Sequence, residues 1–295
     1  MSTTLGASAP SSTTGSAPEA RPEQTLGPAR RIGRAAAGFV APGTAMIYFS
    51  LLVLIPIAAV ASNAFGGGWS GFWGSVRNPE SWAALKLTLI SALIVVVANT
   101  IAGTAIAWVL VRDRFPGKWV IASVVDLPFA LPTVVAGLTL LSLYGPDSPF
   151  HLNASGTRLG VWIALAFVTL PFSVRAVQPV LAELDRDTEE AAASLGANSA
   201  TVLRRIVLPS LAPAMLSGAM LAFARAMGEF GSLVFISGDK PFSTEVASLR
   251  IFNLYESGET TSAAAVSLAL LLISLAVLLV FGAIRRRLTR PEVTL

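Results

Sequence analysis

Long apolar stretches alternate with short polar ones along most of this chain. Six of the apolar stretches are each about twenty residues long, which is the length that an α-helix needs to cross the hydrocarbon core of a bilayer. They cover approximately residues 44–64, 87–111, 119–143, 159–181, 213–236 and 261–284. The pattern therefore predicts an all-α integral membrane protein with about six transmembrane helices.

The two ends of the chain differ from this middle part. Residues 1–40 are rich in Ser, Thr, Ala, Gly and Pro and have no apolar period. Such a composition cannot bury enough apolar surface to fold, so it predicts a disordered N-terminal tail. We expect one transmembrane domain over residues 41–285 and a short C-terminal tail over residues 286–295.

Composition agrees with a membrane protein and excludes several kinds of site. Hydrophobic residues make up 54% of the chain and charged residues only 13%, which is far from the balance of soluble domains. The absence of cysteine excludes disulfides, thiolate metal sites and cysteine nucleophiles, and the only histidine, His151, lies in a polar loop. No GxxxxGKS or GxxxxGKT pattern is present. We therefore expect no cofactor, no metal and no catalytic or ATPase site in this chain.

Lysine and arginine are distributed unequally between the polar segments. With the N-terminus inside, fourteen of the 21 basic residues lie on the inner side, five on the outer side and two within spans. Because basic residues concentrate in cytoplasmic segments, both termini and the polar segment 183–212 are predicted to face the cytoplasm. This topology accounts for the net charge of +4 without a nucleic-acid partner.

The segment 183–212, called the EAA loop below, carries a dense pattern. Seven fixed positions fall within twenty residues: Glu190, Ala191, Ala192, Gly196, Ile206, Leu208 and Pro209. Asp187 and Glu190 have the spacing of a capping box, so a first short helix is expected over about 188–195. Gly196 is expected to end it in a left-handed conformation. A second helix over about 199–206 is expected to stop before Pro209, because proline has no N–H to continue it.

This pattern of EAA, three residues, G, nine residues and I-x-L-P is typical of the cytoplasmic coupling loop of permeases that are driven by a separate ATPase. Four further blocks flank it in the chain: DLPFALPT at 126–133, VRAVQPV at 174–180, GEFG at 228–231 and TEVASL at 244–249. Together they resemble the permease subunits of bacterial sulfate/thiosulfate ABC importers, over about residues 45–285.

The resemblance implies the type I ABC importer permease fold and a place in the bacterial plasma membrane. It also implies partners: a homologous second permease subunit, two ATP-binding subunits and an extracytoplasmic sulfate-binding protein. The substrate would be sulfate or thiosulfate, and the EAA loop would couple its passage to the ATPase subunits. The chain itself would be a transport subunit and not an enzyme.

Four charged residues lie within the predicted spans: Asp126, Arg175, Arg225 and Glu229. A charge at the centre of a membrane helix costs on the order of 2.5 to 3.5 kcal/mol, so each is a candidate for the substrate pathway. Arg225 and Glu229 are four residues apart on one helix face and can pair near the middle of the membrane. Arg175 and Asp126 can meet near the cytoplasmic side. Two interpretations stay open: the pairs only neutralise each other, or they line the path of the oxyanion.

Two prolines and one outer segment complete the predictions. Pro128 and Pro132 each remove a helix hydrogen bond, so the third span is expected to be kinked or interrupted. An interruption would offer free N–H groups to a dianion, although a simple kink is the alternative. The outer segment 237–259 either contacts the binding protein or is a solvated connector, with Phe242, Phe252 and Tyr255 as its expected buried anchors.

Two other functions remain open at this point. A molybdate or tungstate permease of the same architecture would handle a tetrahedral dianion of the same charge. A secondary anion carrier or channel would work without an ATPase, but such a protein has no use for a cytoplasmic loop of the EAA pattern. The loop therefore favours an ATP-driven importer.

Overall fold

The computed structural model describes residues 43–44 and 46–288, and all of its regular structure in that part of the chain is helical. The chain divides into two units, residues 1–55 and 56–295. A π-helical turn, Ser50–Leu54, separates the helical residues 46–49 from Ile55, and a second one, Leu203–Val207, lies between Val202 and Leu208. The α-helices are α1 (Ile55–Ala64), α2 (Gly68–Arg77), α3 (Pro79–Arg112), α4 (Lys118–Ala130), α5 (Thr133–Tyr144), α6 (Arg158–Glu183), α7 (Arg186–Ser194), α8 (Ser199–Val202), α9 (Leu208–Met227), α10 (Gly231–Ile236), α11 (Ala247–Glu256) and α12 (Thr260–Leu288).

Helices that are long and apolar enough to cross a membrane confirm the predicted fold class. Five qualify alone, and a sixth span results if the bent pair α4 and α5 is counted as one. The five are Met46–Ala64, Pro79–Arg112, Arg158–Glu183, Ser199–Met227 and Thr260–Leu288. The helix predicted from residue 87 begins eight residues earlier, because the Asn78 side chain accepts hydrogen bonds from Glu80 N (3.0 Å) and Ser81 N (3.4 Å) and so caps it.

The predicted ends of the transmembrane domain are only partly described. The tail over residues 1–40 lies outside the described residues, as do residues 289–295 of the C-terminal tail. Helix α12 continues to Leu288, so residues 286–288 belong to the last helix and not to a separate tail. Arg285, Arg286 and Arg287 in its last turn suit the negative end of the helix dipole.

The third span is broken where the two prolines stand, as the sequence predicts. Helix α4 ends at Ala130, α5 starts at Thr133, and their axes differ in direction by 119°. Pro128 is accommodated inside α4, whereas Leu131 and Pro132 have extended backbones with ψ of 132° and 136°. Proline disfavours helical geometry in the residue before it, which explains why the break falls at Leu131.

The fifth span differs from its prediction at both ends. The helix predicted over 213–236 begins at Ser199 and breaks after Met227, and a separate short helix, α10, follows from Gly231. The predicted stop before Pro209 is wrong. The π-helical turn, closed by the Leu208 N–H donating to the Leu203 carbonyl, widens the helix just ahead of Pro209. Pro209 is the second residue of α9, directly after this turn, so the span continues through the proline.

Helices α3, α6 and α9 form the centre of the larger unit. Ala92, Val161, Ala164 and Phe223 belong to one buried cluster there. Polar side chains join helices inside this apolar packing. Asn99 Nδ2 donates to Thr169 Oγ1 (2.8 Å) and to the Ala166 carbonyl (2.9 Å). Trp162 Nε1 donates to Ser91 Oγ (3.1 Å). Buried hydrogen bonds of this kind fix the register of membrane helices.

Candidate functional site

The EAA loop is an exposed helical hairpin with defined turns. Helix α7 is capped by Asp185, whose carboxylate accepts from Asp187 N (2.9 Å), so the cap lies two residues before the predicted Asp187. Gly196 has a φ of 88°, which a residue with a Cβ rarely adopts. The Gly196 N–H donates to the Ala193 carbonyl (2.9 Å) and the Ala197 N–H to the Ala192 carbonyl (3.0 Å). These are the two bonds of a Schellman turn, so the predicted role of Gly196 in ending α7 is confirmed.

One surface of the loop is exposed and includes an apolar side chain. No residue of α7 is buried, and Leu195 at its end is 90% exposed. The predicted loop residues divide by burial: Glu190, Ala191, Gly196 and Pro209 are exposed, whereas Ala192, Ile206 and Leu208 are half-buried. Ala192 and Ile206 pack against a cluster that includes Leu110, Val207 and Leu211. The loop is therefore held to the helices on one side and open on the other.

Glu189 ties the loop to the helices, and sequence reasoning missed it. Its carboxylate forms an ion pair with the Arg112 guanidinium in the last turn of α3. The Arg112 side chain is only 10% exposed, and its guanidinium carbon lies 5.7 Å from the centre of the Trp108 ring. Glu189 stands beside Glu190 in the sequence, and no local pattern tells which of the two turns inward. A groove of about 780 Å³ lies next to this contact, between α3 and the loop, with Trp108 and Glu190 in its walls.

The Arg225–Glu229 pair, called the distal pair because its helix runs from the EAA loop to it, lies where the fifth span breaks. Arg225 is in the last turn of α9, so its predicted position at the middle of a continuous span is wrong. Its Nη1 atom lies 2.5 Å from Glu229 Oε2, an ion pair without hydrogen-bond geometry. The Glu229 side chain is 1% exposed and the Arg225 side chain 30%. The predicted i to i+4 pairing is thus confirmed, with the carboxylate as the buried partner.

Glu229 also joins the elements on the other side of the break. Its Oε1 atom accepts from the Ser232 N–H (2.8 Å) in the first turn of α10. Its backbone carbonyl accepts from Ser248 Oγ (2.6 Å) on α11. One buried residue therefore connects α9, α10 and α11 at the point where the fifth span changes direction.

The two helix breaks pack against each other. A Cβ atom on Gly231 would collide with Thr133 Oγ1 at the start of α5. A Cβ atom on Gly137 would lie 2.7 Å from the Ser232 carbonyl oxygen. The start of α5, after the break at Pro132, thus lies against the start of α10, after the break at Glu229. The two breaks are therefore closely packed, with no room for a Cβ atom at either glycine.

The Asp126–Arg175 pair, called the proximal pair, is more open. Arg175 Nε donates to Asp126 Oδ1 (2.8 Å), and Arg175 Nη2 donates to Asp126 Oδ2. The remaining fork atom, Nη1, donates to Gln178 Oε1 (2.8 Å). The side chains of Arg175 and Asp126 are 43% and 38% exposed. The predicted meeting of these residues is confirmed, and Pro128 lies in the same helix two positions after Asp126.

The outer segment contains a helix, α11, and its core differs from the prediction. Phe242, Phe252 and Tyr255 are exposed, so they are not its buried anchors. Instead, Glu245 is buried, accepts from Asn253 Nδ2 (3.1 Å) and lies 3.9 Å from Arg250 Nη1. Desolvation by burial raises the pKa of the Glu245 carboxyl above its ordinary value, against the lowering effects of Asn253 and Arg250.

Comparisons with known proteins agree with this architecture. The family described as "Binding-protein-dependent transport system inner membrane component" matches residues 99–290. The chain is 40% identical over 258 residues to the sulfate transport system permease protein CysT of Salmonella typhimurium, covering 85% of this chain and 93% of that one. It is 40% identical over 248 residues to the protein of the same name from Synechocystis, covering 82% of this chain and 87% of that one.

Solved structures show the same fold at low sequence identity. A chain of a bacterial ABC transporter involved in the import of the acidic polysaccharide alginate matches with a TM-score of 0.70 at 15% identity, over 88% of this chain and 99% of that one. A chain of the MetNI methionine ABC transporter in an inward-facing conformation matches with a TM-score of 0.55 at 17% identity, over 76% of this chain and 100% of that one. From the matched residues and the two close relatives, the chain belongs to the family of binding-protein-dependent transport system inner membrane components.

Proposed function

We propose that this chain is a membrane-spanning permease subunit of an ATP-driven importer that passes sulfate, and also thiosulfate, to the cytoplasm. The observation that carries the proposal is the exposed EAA loop, with its bare α7 face, in a chain 40% identical to sulfate transport system permeases. The chain contributes the path and the coupling element, and ATP is hydrolysed by other subunits.

The partners in this proposal are a homologous second permease, two ATP-binding subunits and an extracytoplasmic sulfate-binding protein. A short helix such as α7 cannot bury its own apolar surface, and Leu195 is almost fully exposed beside it. An ATPase groove that covers Leu195 and the small side chains Ala191 and Ala193 would remove that surface from water. A solved relative, the alginate ABC transporter, is described in complex with a substrate-bound periplasmic protein.

Coupling in this proposal runs through rigid elements. Glu190, Ala191, Ala192 and Gly196 present the docking surface, and Ile206, Leu208 and Pro209 lie at the start of the helix that leaves it. The span Ser199–Met227 has 29 residues without a break and is therefore about 43 Å long. It connects the loop to the Arg225–Glu229 break, so in this proposal a displacement of the loop by the ATPase displaces the break as well. The Arg112–Glu189 ion pair moves α3 with the loop.

The distal pair is the candidate for the substrate path. A guanidinium is permanently charged and presents a planar fork of donors that suits an oxyanion. Arg225 is partly exposed, whereas Glu229 is held inside by its bond to the Ser232 N–H. In the proposal Glu229 orients Arg225 and weakens its attraction for the anion, so that sulfate passes without being trapped. Asp126, Arg175, Pro128 and Pro132 complete the candidate path.

The proposed location is the bacterial plasma membrane, with both termini in the cytoplasm. The chain has no cysteine, so single cysteines at Ser199 in the EAA loop and at Ser243 in the outer segment report topology directly. A membrane-impermeant thiol reagent applied outside should label only the cysteine at 243. Labelling of both sites from outside would contradict this topology.

ATP hydrolysis by the reconstituted importer tests the proposed function and the anion. The complete complex is assayed with its binding protein loaded with sulfate, thiosulfate or molybdate. Stimulation by sulfate and thiosulfate is the expected result. Stimulation by molybdate alone would replace the proposal with a molybdate permease of the same architecture.

Substitution of Gly196 tests the coupling role. Gly196→Val places a β-branched side chain at a φ of 88°, which costs roughly 1 to 2 kcal/mol and distorts the turn. Uptake and association with the ATPase subunits should both fall, while the permease still inserts. Gly196→Asn is the matched control, because asparagine tolerates this conformation. Normal uptake by the valine variant would show that this turn does not set the docking geometry.

A further inference from the structure

The proximal pair lies at membrane depth on an exposed helix face. Asp126 is eight residues from the start of α4 at Lys118, and Arg175 is eight residues from the end of α6 at Glu183. Both counts place the pair about 12 Å from the charged helix ends. Two exposed charges at that depth are costly against lipid, so this face is turned towards water or protein.

The geometry of the pair has the form of an occupied anion site. A carboxylate of the same chain fills the fork made by Nε and Nη2 of Arg175, and Gln178 holds Nη1. An edge of a tetrahedral oxyanion presents two oxygens to a guanidinium in the same way as a carboxylate does. Asp126 therefore occupies the atoms of Arg175 that sulfate would use.

An aromatic pair lies one helical turn away from the charges. Phe129 is three residues after Asp126 on α4, and Phe172 is three residues before Arg175 on α6, so both lie on the side away from the EAA loop. Their rings meet edge to face with centres 5.0 Å apart, and Phe129 is 52% exposed. The break at Pro132 follows one turn beyond Phe129. The exposed strip thus carries, in order, a helix break, an aromatic pair and a charge pair.

Both helices that carry the pair contain prolines close to it. Pro128 follows Asp126 by two residues, and Pro171 and Pro179 stand four residues on either side of Arg175. Pro179 lacks the N–H that would bond to the Arg175 carbonyl in a regular helix. Proline is the commonest site of helix kinks, so these positions are where we expect the two helices to bend if the pair opens.

We propose that Arg175 is an exit site for the sulfate dianion, that Asp126 is its built-in competitor, and that Phe129 and Phe172 form the constriction above it. This inference rests on the proposed function. Sulfate binds when Asp126 turns away from Arg175, and the returning carboxylate displaces it towards the cytoplasm. Competition keeps the affinity low, because only the fraction of molecules with a free Arg175 binds the anion.

The test uses the complete reconstituted importer and labelled sulfate. Asp126→Asn removes the competing charge and keeps the side-chain shape. In the absence of binding protein, the affinity of this variant importer for sulfate should be about tenfold higher, measured as the labelled sulfate that it retains. Uptake should fall, because release slows. Arg175→Gln in the same chain should abolish the gain, and Arg175→Lys alone should lower retention because lysine lacks the fork.

Glu80→Gln is the matched control, since it changes a carboxylate to an amide in the outer Glu80–Arg250 ion pair and should leave retention unchanged. Unchanged retention in Asp126→Asn would overturn the inference. Loss of the second permease from the purified Asp126→Asn complex, without tighter sulfate binding, would assign the pair to a subunit interface and also overturn it. If the unmodified importer fails to transport sulfate, the proposed function itself is wrong.

Discussion

The distal and proximal ion pairs differ in which partner is free to move. In the distal pair the Glu229 carboxylate is buried and contacts both Arg225 and the Ser232 N–H, the Glu229 backbone carbonyl accepts from Ser248 Oγ, and only Arg225 reaches the surface. In the proximal pair both Asp126 and Arg175 are more than one third exposed, and the carboxylate has no second partner among the described residues. We infer that the buried counter-ion orients its arginine, whereas the exposed counter-ion is the one that a substrate could replace.

This difference assigns different tasks to two otherwise similar pairs. The Glu229 carboxylate is buried and bonded to the Ser232 N–H, so it would lose this bond if it left Arg225, and we expect the distal pair to respond to movement of the helices. Asp126 and Arg175 are both partly exposed, so in our proposal Asp126 leaves Arg175 by a change of side-chain rotamer and the proximal pair responds to an anion. The predictions below separate these tasks, beginning with the largest expected effect.

Arg225→Gln should lower sulfate uptake by about a hundredfold in an importer that still assembles. The variant removes the positive charge that the proposed path offers to the dianion. It also leaves the buried Glu229 carboxylate unpaired, and one unpaired charge inside the membrane costs about 3 kcal/mol. Uptake is measured with labelled sulfate in vesicles, and assembly by purification of the complex.

The double variant Arg225→Gln, Glu229→Gln provides the control. It restores neutrality at the break but not the cation, so uptake should stay low. Recovery of normal uptake would mean that these charges serve only to neutralise each other.

Gly231→Ala should destabilise the distal break by about 1 to 3 kcal/mol, because its Cβ collides with the first residue of α5. The thermal unfolding midpoint of the purified complex measures this effect. Gly228→Ala is a matched control three residues away, since a Cβ there meets nothing closer than the Ala224 carbonyl at 4.0 Å. Equal midpoints for both variants would contradict the tight contact between the two breaks.

The two breaks also show how far the sequence predicts this fold. Pro128 and Pro132 predict the break in the third span, because proline disfavours helical geometry in the residue before it. No proline stands near Glu229, and the break there depends on bonds to Ser232 and Ser248, one of them nineteen residues away. A contact between distant residues leaves no local period, so the fifth span was predicted as continuous.

The candidate site follows the same division. The turn at Gly196 and the Arg225–Glu229 pairing are local, and the sequence predicts both. The Arg112–Glu189 contact joins residues 77 apart, and the Phe129–Phe172 contact joins two helices. These depend on tertiary packing. The outer segment was mispredicted because its interior holds the polar side chains of Thr244 and Glu245 in place of its aromatic residues.

Acid should stabilise the outer segment by a small amount that depends on Glu245. Burial raises the pKa of this carboxyl, so the folded segment binds its proton more tightly than the unfolded chain does. The resulting stability is complete below the ordinary glutamate pKa and is lost as the pH rises through the raised value. The charged groups that face Glu245 are Arg250, Asp239 and Glu80.

Hydrogen exchange of residues 237–259, corrected for the intrinsic effect of pH, measures this change. Protection should increase on acidification in the unmodified protein and much less in Glu245→Gln. An equal increase in both would show that the effect does not come from Glu245.

The most direct test of the account is the dependence of sulfate uptake on ATP. Vesicles that contain the complete importer are supplied with labelled sulfate and binding protein outside, with or without ATP on the side of the EAA loop. We predict uptake only when ATP and binding protein are both present, and its loss when ATP is replaced by a non-hydrolysable analogue. Uptake that proceeds without ATP and follows an ion gradient would contradict the account, because the chain would then be a carrier and its EAA loop would have no coupling role.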